Sequence, residues 1–292
     1  MALLVCDMGG TAVKFALYNQ GQLSHQSSFP TPDSWEEMKN ELKKLQESFS
    51  TIQLTGVAFS SPGSVNTEEG IIYGKSAIPY IHRFPIQKEL SDLFGLPVSI
   101  ENDANCAALA ELHLGVAKDS ASSVFFIIGS GVGGAVAQGN SLLKGENLFG
   151  GEFGYMILQD GMTLSHLVSP VHVANRFAQA EGLDESFSGK DLFSLSDQGH
   201  EKAKQAVEGI YQSLAIGIYN VLMTVNPELV AIGGGISIRE ELVEEVRKRL
   251  GQIILEADAT DLTFKLEACQ YRNDANLLGA AAHFVSQYGE KI

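Results

Sequence analysis

Basic residues are scarce in this chain of 292 residues: 20 Lys and Arg stand against 35 Asp and Glu, a formal net charge of −15. That shortage argues against nucleic acid as a partner, because neutralising a phosphate backbone takes clustered cations. Cysteine is rare too. Cys6, Cys106 and Cys269 lie far apart and match no metal-ligand spacing, so buried free thiols are expected. No run of 18 or more apolar residues occurs, and no membrane span is expected. The first residues are apolar at once, with no basic leader, and Asp7 interrupts them too early for a secretion signal; a cytoplasmic protein is expected. G-x-x-x-x-G-K-[ST] is absent, which excludes the P-loop class by motif. Low-complexity segments and obvious flexible linkers are also missing.

What is present is an ordinary globular composition, 45% hydrophobic and 19% charged, in a length that allows two domains. Residues 3–6 and 13–18 read as strands joined by a turn at 9–11. Residues 34–49 carry a helical period, with Asp33 or Ser34 as N-cap. Residues 54–60 form a short apolar strand ending in Ser61-Pro62-Gly63. A helix at 85–94 is stopped by Gly95, residues 98–100 are a core strand, and 104–114 an alanine-rich helix. The second half repeats the plan. Residues 123–128 and 134–138 are strands around a glycine turn, and 164–180 and 200–224 have helical periodicity. The polar stretch 183–200 reads as a surface loop. Residues 229–232 form a strand, 239–250 an amphipathic helix, 262–268 a last strand and 276–287 a terminal helix. Two related α/β units facing each other across a cleft are therefore expected. Residues 1–113 make one, with a terminal helix at 275–292 able to pack back on it, and residues 114–274 make the other.

Ligands in open α/β sheets collect at the C-terminal ends of strands. Pro62-Gly63, Asn102-Asp103 and Gly233-Gly234-Gly235 all fall at such ends. Asp7-Met8-Gly9-Gly10-Thr11 follows one strand and Gly129-Ser130-Gly131-Val132-Gly133-Gly134 another. Both turns offer backbone N–H groups to an anion, so an acidic chain can hold phosphate locally, with Mg²⁺ adding positive charge. Between them, Ile100-Glu101-Asn102-Asp103-Ala104-Asn105 sets a carboxylate beside an amide. Phosphate cradles plus a candidate base suggest phosphoryl transfer to a hydroxyl. An Asn-Asp pair after a strand also commonly caps a helix, and the two roles can coexist. Gly129, Gly131 and Gly134 satisfy G-x-G-x-x-G as well, with Glu152 about where a ribose-binding acid falls. That dinucleotide reading needs a helix directly after the glycines, whereas residues 135–140 favour a β-hairpin. Gly233-Gly234-Gly235 lies between a strand and a helix, with Ser237 as a possible N-cap. Three glycines are more than a tight turn requires, which points to a nucleotide contact.

Five motifs occur in order over almost the whole chain: Asp7 to Thr11, Glu101 to Asn105, Gly129 to Gly134, Gly151-Glu152-Phe153-Gly154-Tyr155, and Gly233 to Gly235. In this order they resemble the ROK family of sugar kinases, which have the actin-like, hexokinase-type ATPase fold. The resemblance implies two ribonuclease-H-like α/β domains closing on a sugar and MgATP; a homodimer is expected. It implies Asp103 as catalytic base, with Gly63, Asn102, Asp103, Glu152 and Tyr155 at the sugar. It implies phosphate binding by Asp7, Gly9, Gly10, Thr11, Lys14, Gly129, Ser130, Gly131 and Gly133, and puts Gly233, Gly234 and Gly235 near the adenosine. Asp7 would orient water on Mg²⁺ rather than enter a full protein cage.

Many members of that family carry a histidine where this chain has Tyr155, followed by a cysteine cluster that holds zinc. Residues 156–175 contain His166 and His172 but no cysteine, so no structural zinc is expected. The sugar contacts that the family draws from that histidine, and from a glutamate after the cysteines, do not carry over. Gly-Glu-Phe-Gly-Tyr-Met without the cluster looks most like the bacterial β-glucoside kinase branch, whose members phosphorylate O6 of a glucosyl unit in cellobiose-like sugars. A more open pocket is expected, with Tyr155 packing on a second sugar ring. A glucokinase, an N-acetylmannosamine kinase and a non-catalytic sugar sensor of the same fold stay open as alternatives. Repressors of the family carry an N-terminal helix-turn-helix; this chain starts at its first strand, and none is expected.

Overall fold

The computed structural model describes residues 2–289. These fall into two compact units. The residues up to Gly115, the segment Gly145–Phe149 and the residues from Asn273 onward make the first; Val116–Lys144 and Gly150–Arg272 make the second.

The first unit opens with β1 (Ala2–Met8), every residue of which is buried, then β2 (Ala12–Asn19) and β3 (Gln22–Pro30). After α1 (Trp35–Ser48) come β4 (Leu54–Ser61), a small hairpin of β5 (Ser64–Asn66) and β6 (Ile71–Tyr73), α2 (Ile86–Phe94), β7 (Val98–Asn102) and α3 (Asp103–Leu114). The main sheet has the order β3-β2-β1-β4-β7, with β1, β4 and β7 parallel and β2 and β3 antiparallel. Alternation along β1 divides its side chains between two cores. Leu4, Cys6 and Met8 join Met38, Leu42, Ile86 and Leu90, whereas Leu3 and Val5 join Cys106, Leu277, Ala281 and Phe284. Ser34 caps α1 by accepting from the Glu37 N–H, and Gly95, in the left-handed region, ends α2.

The second unit repeats the order with β8 (Ser122–Ile128), β9 (Val132–Gln138) and β10 (Ser141–Leu142). A short β11 (Ile157–Gln159) and β12 (Met162–Thr163) hairpin precedes α4 (Leu164–Val168), α5 (Pro170–Glu181), α6 (Gly189–Asp197) and α7 (Glu201–Val225). β13 (Leu229–Gly233), α8 (Leu242–Glu256) and β14 (Lys265–Ala268) complete it. Its sheet runs β10-β9-β8-β13-β14, again with an antiparallel hairpin on one side and parallel strands on the other. One core joins Val124, Phe126 and Ile128 to Ile210, Leu214 and Val246. The chain then returns to the first unit as α9 (Ala275–Tyr288), which packs on α3.

Three expectations are corrected. The stretch 183–200 is not all loop: it holds α6, started by a capping box in which Ser188 and Asp191 satisfy each other's backbone N–H groups. Its first turn is polar, which hid the helix. Residues 164–180 are two helices, because Ser169 adopts an extended conformation before Pro170. The helix expected from Arg239 begins at Leu242, and Ser237 does not cap it; Gly235–Ile238 is a 3₁₀ turn.

Candidate active site

In the first unit the strand ends assemble one group of polar side chains. Adjacent parallel strands set Asp7 opposite Ser60, Ser60 opposite Glu101 and Ser61 opposite Asn102. Asn102 ends β7 and caps α3, its Oδ1 accepting from the Asn105 N–H at 3.0 Å. Its Nδ2 donates to two acceptors, the Gly63 carbonyl at 2.9 Å and Asp103 Oδ1 at 3.0 Å. Asp103 Oδ1 also accepts from the Ala104 N–H at 2.8 Å. Two donors meeting one oxygen fix the plane of the carboxylate. Gly63, Asn102 and Asp103 are thus brought together directly. Capping and carboxylate positioning are shared within the pair, and both amide donors of Asn102 are engaged.

Asp7 is a buried carboxylate whose Oδ1 accepts from Ser60 Oγ at 2.8 Å and from Asn276 Nδ2 at 3.0 Å. Lys14 lies opposite Asp7 in the β1–β2 register, with its side chain exposed. In the following turn the Gly9 N–H is spent on the Ala12 carbonyl, while those of Gly10 and Thr11 donate to no group among the described residues. Crowding explains these glycines. A Cβ on Gly9 would come within 2.8 Å of the Ala12 oxygen, and one on Gly10 within 2.6 Å of Ala77 Cβ.

The turn in the second unit is built alike. The Gly129 N–H donates to the Gly131 carbonyl, and those of Ser130 and Gly131 donate to no group among the described residues. Ser169 Oγ lies 2.9 Å from the carbonyl oxygens of both Gly129 and Ser130, sharing its proton between them, and Ser165 Oγ accepts from Val132 N–H at 3.0 Å. After the turn the chain continues as β9, with Gly133 paired to Ile127. No helix follows the glycines, which removes the dinucleotide-binding reading. At Gly234 φ is +84°, and a Cβ there would meet the Ile128 carbonyl oxygen at 2.2 Å. Gly233 is crowded by Cys269 and Ile127, whereas Gly235 faces open space. Close packing of β13 against β8 accounts for the first two, and only Gly235 presents bare backbone.

Glu152 precedes the 3₁₀ turn Phe153–Tyr155, and burial raises its carboxyl above the ordinary range. Tyr155 is 69% exposed. Sequence reasoning missed the supporting residues Ser60, Asn276, Ser165 and Ser169, and named Glu101 in its motif without giving it a role. Glu101 is 2% exposed, and its Oε1 accepts from the Asn102 N–H at 2.7 Å and from Asn105 Nδ2 at 3.1 Å. A charged residue one step before the Asn-Asp pair, at an otherwise buried strand position, was the available signal.

The sequence matches the ROK family over residues 3–287. The chain belongs to the ROK family. A ROK relative of similar length, the beta-glucoside kinase of Listeria innocua, is 29% identical over 98% of each chain. The N-acetylmannosamine kinase of Salmonella arizonae is 30% identical over 96% of this chain and 97% of its own. Among solved structures, a ROK family protein from Streptococcus pneumoniae in complex with sucrose superposes with a TM-score of 0.89 at 30% identity, covering 98% of this chain and 99% of that one. The ROK fold, two α/β units of the actin-like ATPase type, agrees with the duplicated sheet order.

The segment that departs from the common ROK pattern is ordered without cysteine. His166 and His172 pack edge to face with ring centroids 4.9 Å apart, and burial together with nearby His166 and Arg176 lowers the His172 pKa. Among the described residues, no group of three or more His, Cys, Asp or Glu side chains is arranged to hold a metal ion. Cys6, Cys106 and Cys269 are buried thiols, in no disulfide among the described residues. Burial pushes the Cys6 and Cys106 thiols up, which keeps them unreactive.

Proposed function

We propose that the protein is an ATP-dependent sugar kinase that phosphorylates the 6-hydroxyl of a glucosyl unit, with a β-glucoside such as cellobiose as its acceptor. The observation that carries this reading is the Asp103 carboxylate, held at a strand end by the Asn102 amide and the first turn of α3. A fixed carboxylate suits the removal of a proton from an attacking hydroxyl, and phosphoryl transfer otherwise depends on positioning and charge. Family membership and the beta-glucoside kinase relative support the acceptor class.

In this reading Asp103 accepts the hydroxyl proton. Asn102 positions that carboxylate, its donors being engaged by Asp103 and Gly63, and keeps acceptor capacity on Oδ1 for the sugar. Glu152 offers acceptor oxygens to one or two sugar hydroxyls. MgATP supplies the transferred phosphoryl group and positive charge. The residues suit it: the N–H groups of Gly10, Thr11, Ser130 and Gly131 are available to phosphate oxygens, Asp7 to metal-bound water, and bare backbone at Gly235 to the nucleoside. Tyr155, 69% exposed, offers the sugar an aromatic face with a polar tip.

Relative kcat/KM on cellobiose, glucose and N-acetylmannosamine, with coupled ADP detection, tests the acceptor. Cellobiose is expected to lead. A tenfold or greater preference for glucose or N-acetylmannosamine, about 1.4 kcal/mol of transition-state energy, would overturn the β-glucoside reading and leave a kinase of the winning sugar.

A further inference from the structure

The β5–β6 hairpin borders a groove of about 360 Å³ whose lining includes Ser64, Asn66, Glu69, Tyr73, Glu146 and Phe149. All of these belong to the first unit. The volume lies in the range of small-ligand sites, roughly 300–1,000 Å³. Phe149 is 61% exposed and Tyr73 37%, so two aromatic side chains meet solvent there. Tyr73 Oη donates to Glu69 Oε2 at 2.6 Å, which fixes that carboxylate. Asn66 Oδ1 accepts from the Glu68 and Glu69 N–H groups at 3.1 Å each. Its amide plane is set by those bonds, and its NH₂ donates to no group among the described residues.

Aromatic faces beside a fixed carboxylate and a fixed amide suit a neutral polyol. A pyranose can lay its C–H face on an aromatic ring while its hydroxyls donate to the carboxylate and accept from the amide. A phosphate-bearing ligand suits the groove poorly, since Glu69 and Glu146 repel it and no lysine or arginine among the described residues lines it. The groove also adjoins the catalytic group. Ser64 follows Gly63, whose carbonyl is bonded by the same Asn102 nitrogen that bonds Asp103, and β5 lies against β7.

We propose that this groove is the subsite for the second ring of a disaccharide acceptor, with Phe149 as its stacking face and Glu69 and Asn66 as its hydroxyl partners. The proposal rests on the kinase reading and adds where the second ring sits. The test compares wild type, Phe149→Ala and Glu69→Gln for kcat/KM on cellobiose and on glucose, with calorimetric binding of cellobiose and melting temperature alongside. Phe149→Ala is expected to lose tenfold or more on cellobiose, in turnover and in affinity, with glucose kinetics within twofold and the melting temperature unchanged. Glu69→Gln should weaken cellobiose in the same selective way. Equal losses on both sugars, or unchanged cellobiose binding, would overturn the subsite. So would a selective loss in Tyr155→Ala that Phe149→Ala does not share. Wild-type turnover judges the kinase reading separately: a protein that consumes no ATP with any sugar, yet binds cellobiose in a Phe149-dependent way, loses the kinase reading and keeps the groove as a sugar site.

Discussion

Asp103 belongs to a hydrogen-bonded group: its Oδ1 accepts from the Asn102 amide and the Ala104 N–H, and Glu101 holds the Asn102 N–H. Asp103→Asn keeps the size of the side chain and its place in the first turn of α3 but removes the proposed base. Turnover should fall roughly 10²–10⁴-fold, with cellobiose affinity and melting temperature close to wild type. A variant that keeps more than half of wild-type turnover would remove Asp103 from the role. Glu152 gives a test by pH. Burial raises its folded-state pKa, so ionising it costs more in the folded chain than in the unfolded one, and its contribution to stability falls as pH rises through the folded value. Glu152→Gln removes that cost. The variant should melt above wild type at pH 8, and the difference should vanish below the ordinary carboxylate range, where Glu152 is neutral in both states. Thermal melts from pH 3 to 8 check this, and a variant less stable than wild type at pH 8 would contradict it. The proposed site residues could be picked out because they sit beside glycine turns and strand ends. Their supports, Ser60, Asn276 and Ser169, could not, because single serines and asparagines distant in sequence carry no pattern until the fold brings them to a carboxylate or a carbonyl.

At the scale of elements, close approach of α9 to α3 decides how the chain's end is held. A Cβ on Gly279 would lie 1.7 Å from the Cys106 carbonyl oxygen, so helix backbones must separate to admit it. Gly279→Ala should destabilise by about 1–3 kcal/mol or more, the usual cost of overpacking. Gly251, within α8, has no atom within 4 Å of its Cβ position, and Gly251→Ala should stabilise by about 0.5–1 kcal/mol through helix propensity. Denaturant unfolding of both variants measures the contrast; equal effects would mean the tight helix contact is absent. Buried elements such as β1 and β8 were plain from unbroken apolar runs. β3 was not, because most of its residues are exposed and polar; pairing with β2 through the Gln20-Gly21 turn, where both φ values are positive, makes it a strand. Likewise α6 depends on its capping box more than on an apolar stripe.

At the scale of the whole molecule, the same strand order occurs twice, an antiparallel hairpin beside parallel strands. Each copy sets a glycine turn after its first strand with two successive N–H groups that donate to no group among the described residues. The repeat was readable from strand, glycine turn, strand in each half. The assignment of Gly145–Phe149 to the first unit was not, since it depends on which surface a short loop packs against and no local period marks it. Paired turns also explain how a chain with a net charge of −15 can be read as a nucleotide enzyme: backbone N–H groups and Mg²⁺, in place of a basic patch, would meet the phosphates. The most direct test of that account is the product. Incubation with MgATP and cellobiose, followed by ³¹P and ¹H NMR, should show a monophosphate ester on O6 of the non-reducing glucose, with one ADP formed for each ester. ADP release without a sugar phosphate, or no ATP consumption with any sugar that binds, would contradict it.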